Sequence, residues 1–149
     1  MLPMKDVRLA IGELLAADVS TLAPVAANKI ALIIANFSLT ENLVVGDLTL
    51  ATFTGSAPKA GAAGAQQAGV SPLTGQQVLT ILAPAGGYRW ECTVAPGAPE
   101  TIYGYCLLDD TLATLLAATL LDTPVTITDV GDFFDAGAVE MQFVAQPVT

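Results

Sequence analysis

Near the start of the chain, Val7, Ile11, Leu14 and Leu15 stand at i, i+4, i+7 and i+8, the spacing of one helical face. Pro3 precedes them at a place suited to a helix start, and Lys5, Arg8, Gly12 and Asp18 take the opposite side. The pattern predicts an amphipathic helix over about residues 4 to 19, with one side for a core or a neighbouring subunit. Thr21 to Asn28, with Pro24, follows as a linker. The expected organisation is an N-terminal helix or arm over 1–22 and a single β-domain over 23–149.

Beyond Asn28 the pattern changes to strands. Ile30 to Phe37 is an apolar run of strand length, and Ala51 to Thr54 is shorter and β-prone. Gln77–Leu82, Tyr88–Val94, Thr101–Leu108, Thr114–Leu121, Val125–Thr128 and Ala138–Val144 follow, separated by turn-rich breaks. The stretch Leu112 to Leu121 has helix-like Leu/Ala composition but strand-like length and surroundings, and is assigned to strand. Many short strands at this spacing predict a mainly β fold, an antiparallel β-sandwich of jelly-roll or Ig-like type behind an N-terminal α-helix.

Ala57 to Gly75 reads as a long loop of Gly, Ala, Pro, Gln and Ser, and from Ala60 to Tyr88 the chain carries no charge. A solvated loop would normally be charged, so this one is expected to lie flat on another subunit, with Val70 and Leu73 as its apolar contacts. The helical residues Val7, Ile11, Leu14 and Leu15 are the other expected interface group. Trp90 alternates with Arg89 and Glu91 and therefore shares a strand face with Tyr88, Cys92 and Val94. It has two readings, a core anchor or an interface hot spot.

Composition sharpens the picture. Apolar residues make up 53% and charged residues 13% of the 149, and mean hydropathy is +0.62, where soluble domains average roughly 25% charged. No apolar run is long enough to cross a bilayer. The combination suits an assembly subunit whose surface is covered by partners, and its length suits one domain. With 5 basic and 14 acidic residues the formal charge is −9, which disfavours nucleic acid and anionic membrane as partners. It would also keep free subunits apart until a positive neighbour neutralised them. Asp6 and Glu13 interrupt what would be the apolar core of a signal peptide, so synthesis and residence in cytoplasm are expected.

The chain has no histidine, which excludes Ser-His-Asp and Cys-His chemistry and zinc sites of ordinary composition. A small hydrolase is accordingly a remote reading. Cys92 and Cys106 fall in consecutive predicted strands that could form a hairpin through Ala95 to Pro99. In a reducing compartment two buried thiols are expected. Asp109-Asp110 and the acidic stretch Asp129 to Asp135 could offer calcium oxygen ligands, but neither has EF-hand spacing and Asp beside Gly is ordinary turn chemistry. Gly61 to Ala65 lacks the Lys-Ser/Thr of a phosphate loop. No catalytic residue, cofactor or metal site is expected.

Three segments carry a resemblance: Asp47 to Gly55, Thr101 to Tyr105, and Leu120 to Ile127. In their order and spacing, over roughly residues 30 to 146, the chain resembles a family of small virion proteins of tailed phages. The resemblance implies a non-catalytic structural role in the particle. Joined to the low charge and the long neutral segment, it leads to the expectation of a capsid decoration or cement protein. Such a protein would contact the major capsid protein or another virion protein, as a homo-oligomer. A tail, fibre or receptor-binding component is the rival reading.

Overall fold

Ile30, Ala31, Leu32 and Ile33 are all buried, although a strand turns successive side chains to opposite faces. Their strand, β2 (Asn28–Ile33), must therefore be covered on both sides, and the rest of the fold supplies the covers. The structure, a computed structural model, describes residues 2–3, 28–40, 42–60, 66–70, 77–81, 87–137 and 139–143. Besides β2 they form β1 (Leu2–Pro3), β3 (Lys59–Ala60), β4 (Gln66–Val70), β5 (Gln77–Ile81), β6 (Tyr88–Glu91), β7 (Glu100–Asp109), β8 (Leu115–Ile127), β9 (Phe133–Ala136) and β10 (Val139–Phe143). The fold is mainly β, and every strand pairing among the described residues is antiparallel.

β2 lies inside a five-stranded sheet of order β1-β8-β7-β2-β3; β10-β5-β4 and β6-β9 form two smaller sheets. On one face of the large sheet, Ile30, Leu32, Leu107, Leu116 and Ile127 pack against Tyr88, Trp90, Phe134 and Ala136 of the β6-β9 ribbon. On the other, Ala31, Ile33, Cys106, Leu108 and Ala118 are covered by Phe37, Leu39, Leu43, Leu48 and Leu50 from the connection after β2. The end of that connection returns alongside β2, Ile34 N–H donating to Thr49 O (2.9 Å) and Ala51 N–H to Leu32 O (3.0 Å).

A bulge lets one continuous strand replace two expected ones. Val125 pairs with Ile102 and Leu120 with Gly104, so Leu121 to Pro124 stand opposite Tyr103 alone. Pro124 falls in this unpaired stretch, where its missing N–H breaks no ladder bond. The predicted strands Thr114–Leu121 and Val125–Thr128 thus become the 13-residue β8. Gly104 is required at the same point, because a Cβ there would lie 2.2 Å from Thr119 O and 3.2 Å from the Phe37 ring.

Other expectations are corrected. The Ala51–Thr54 segment is a turn, not a strand: Phe53 plugs the core, Ser56 N–H returns to Phe53 O (3.0 Å), and Gly55 has φ 112°. The expected loop over 57–75 contains β3 and β4, because main-chain pairing to β2 and β5 needs no apolar side chains. The acidic stretch after Ile127 leads into a strand, β9, and β6 pairs with that strand rather than with β7. No Cys92–Cys106 hairpin therefore forms; both thiols are buried and free, in clusters on opposite faces of the large sheet. Leu2 and Pro3, within the expected arm, pair with Ala118 and Ala117 at the sheet edge, where proline is tolerated. The helix expected over about 4 to 19, with Val7, Ile11, Leu14 and Leu15, lies outside the described residues, as does Leu73.

Candidate interaction surface

The outward face of the β6-β9 ribbon is built by alternation. Tyr88 and Trp90 point into the core and Arg89 and Glu91 out; Phe134 and Ala136 point in and Phe133 and Asp135 out. The ribbon begins at a tight turn in which Asp132 N–H returns to Asp129 O (3.2 Å) and Gly131 has φ 93°, the backbone that glycine alone adopts readily. Asp132 fixes this turn with its side chain, Oδ2 accepting from Thr128 N–H (2.7 Å) and Asp129 N–H (2.9 Å). Those two backbone bonds hold its carboxyl below the usual carboxylate range. Cys92 then bonds both Gly131 (2.8 Å) and Asp132 (2.8 Å), so two residues of one strand oppose one of the other in a glycine bulge.

On this frame Arg89 faces Asp135, with Nε to Oδ1 and Nη2 to Oδ2 both 2.8 Å. The guanidinium carbon also lies 4.1 Å from the centre of the Phe133 ring, a cation–π arrangement. The hydrogen bonds from Arg89 lower the pKa of Asp135 and those to Asp135 raise that of Arg89. Phe133 is still 48% exposed, and Val130 (61%) and Val94 (57%) lie at the same end of the ribbon, beyond the bonds that join Cys92 to Gly131 and Asp132. On this outer face the half-exposed Phe133 stands opposite Glu91 and two residues from Asp135, and the Arg89 guanidinium is already paired.

Of the two readings of Trp90, the structure takes the core anchor. It is fully buried, its Nε1 donates to Ala57 O (3.1 Å), and its ring lies 6.2 Å from Tyr88 and 6.1 Å from Phe134. Lys59 Nζ approaches the same ring at 5.8 Å. The indole is thus fully enclosed by the chain's own residues. Val70 closes β4, opposite Gln77. Phe133 and Val130 are masked in the sequence by the surrounding aspartates, whose pattern points to turn chemistry. The available signal is the Phe133-Phe134 pair, since adjacent strand residues point to opposite faces and a ribbon covered on one side buries only one of them.

Two further features have structural roles. An open depression of about 380 Å³ is bordered by Thr52–Thr54 and Ala95–Glu100, and Glu100 ties its two sides by accepting from Thr52 N–H (2.9 Å) and Thr52 Oγ1 (2.5 Å). Asp109 organises the β7–β8 turn, its Oδ1 accepting from Ala113 N–H (2.8 Å) and Thr114 N–H (2.9 Å) around Leu112 at φ 62°. Among the described residues, no group of three or more His, Cys, Asp or Glu could hold a metal ion, and no helix is long and apolar enough to cross a membrane. No protein-family model matches this chain, and no curated protein matches it.

Proposed function

We propose that this chain is a non-catalytic structural component of a phage virion, a capsid decoration or cement protein that binds the shell through the major capsid protein or another virion protein. In this reading the sheets form an antiparallel sandwich of jelly-roll or Ig-like type, and the N-terminal helix is an attachment arm. The reading is supported by the resemblance carried by Asp47 to Gly55, Thr101 to Tyr105 and Leu120 to Ile127, and by a composition poor in charge. The structural observation that supports it most directly is the exposure of large apolar side chains, Phe133, Val130 and Val94. Burial of such side chains on a neighbour stabilises a contact by about 25 cal/mol per Å² of apolar area.

The experiment adds purified protein to particles that lack it and counts bound copies. Wild type should saturate the shell at a fixed stoichiometry, and Phe133→Asp should reduce occupancy without loss of β-structure by circular dichroism. Negative-stain imaging of labelled protein gives the location. Label confined to the tail would replace the shell role with a tail or fibre one, and absence from particles would end the virion reading.

A further inference from the structure

We propose that two copies of this chain join edge to edge through β4, antiparallel about Ala68, so that two three-stranded sheets become one of six. The inference deepens the homo-oligomer expected from the sequence and does not depend on a place in a virion.

The first observation is topological. β4 is the outer strand of the sheet β10-β5-β4, and among the described residues no strand pairs with its far edge. Its pairing to β5 runs without interruption from Gln66 opposite Ile81 to Val70 opposite Gln77, so no bulge turns the edge away. A regular open edge is a template for another strand, and proteins that avoid such pairing place charge, proline or a bulge there.

The second observation is that the other outer strands carry these guards. β1 has Pro3, β3 has Lys59, β10 has Glu140, β6 has Arg89 and Glu91, and β9 has Asp135. β4, reading Gln66-Gln67-Ala68-Gly69-Val70, has none, and it lies in the stretch from Ala60 to Tyr88 that is free of charge. For a chain of net charge −9, this edge lets two copies meet without setting carboxylates against one another.

The partner is a second copy because the strand complements itself. Antiparallel pairing about a two-fold axis sets Ala68 opposite Ala68, Gln67 opposite Gly69 and Gln66 opposite Val70. No like charges meet in any of these pairs.

Light scattering on the full-length protein tests the pairing. Wild type should have the mass of a dimer. Ala68→Lys and Ala68→Glu, each opposing like charges at the axis, should fall to half that mass, and an equimolar mixture of the two should return to the dimer. Should either variant fail to fold, Ala68→Cys decides. With a short bifunctional maleimide it should give a covalent dimer while Thr123→Cys, exposed on β8, should not; the native thiols are buried. A wild-type monomer, a dimer that survives both charged variants, or equal cross-linking at 68 and 123 overturns the proposal. A monomer that still binds particles would leave the virion role standing, and a dimer that ignores particles would leave the pairing standing.

Discussion

Arg89 and Asp135 face each other across β6 and β9 with two 2.8 Å hydrogen bonds on the outer face of the ribbon. The Cys92–Asp132 bond marks a hydrogen-bonded position, and alternation then puts this pair at a non-hydrogen-bonded one, where side chains stand closest. The pairing with Arg89 holds Asp135 below its ordinary range, and Asp109 and Asp132 are shifted the same way by their hydrogen bonds.

Carboxylates with depressed folded values favour the folded state above their unfolded values near about 4, and that contribution disappears as pH falls through the folded ones. Urea midpoints should therefore be flat near neutrality and decline on acidification. Asp135→Asn should lower the neutral midpoint and make the acid decline shallower; an unchanged pH profile would show that Asp135 is not linked to folding. Because the pair is exposed, added salt should shrink the difference between variant and wild type.

Gly104→Ala should destabilise the fold by more than an ordinary strand glycine substitution. The new methyl would meet Thr119 O at 2.2 Å, a main-chain atom that cannot rotate away, at the register shift between β7 and β8. A loss of about 1–3 kcal/mol or more is expected from overpacking. Chemical denaturation measures it, and a stability equal to wild type would mean that the bulge slides to absorb the methyl.

The strands that were legible in advance are those whose side chains dictate burial. Ile30 to Ile33 reads as a strand because four apolar residues in a row can be used only by one covered on both faces. Tyr88 and Trp90 alternate with Arg89 and Glu91, so the inward face was evident, though not whose core it faced. β4 was not legible, since Gln66 to Val70 is held by main-chain bonds to β5 and carries no periodic signal. β9 was masked by its aspartates, which divide between turn formation at Asp132 and ion pairing at Asp135. The union of two expected strands into β8 depends on a bulge opposite Tyr103, a long-range relationship that no local pattern encodes. The candidate surface was missed for a related reason: Phe133 becomes an outward residue only once Phe134 has been committed to the core.

Trp90→Phe should be folded but weaker. The smaller ring leaves space among Tyr88, Phe134 and Lys59 and removes the donor to Ala57 O, for a cost of about 1–3 kcal/mol. Trp90→Ala should cost about 3–5 kcal/mol. The hydrogen bond also tethers the segment after Gly55, so proteolysis near Ala57 should quicken in both variants. Cleavage at the wild-type rate would show that other contacts hold that segment.

Cys106 should make the fold sensitive to alkali. It is buried between Ala31 of β2 and Ala118 of β8 on the face covered by the β2 connection, and burial pushes its thiol from 9.0 up to about 12 because the thiolate would lose its hydration. The native state thus holds the neutral thiol, while the unfolded chain ionises once pH passes the ordinary value. Stability from this source is complete below about 9 and is lost as pH rises from there to about 12. Cys106→Val removes the titration and should flatten the alkaline limb of the denaturation midpoint while altering neutral stability by about 1 kcal/mol or less. Native protein should meanwhile react with a thiol reagent only as fast as it opens, since Cys92 and Cys106 are both buried. Rapid labelling of Cys106 at neutral pH, or an alkaline limb unchanged by the valine, would show that the thiol is not held neutral by the core.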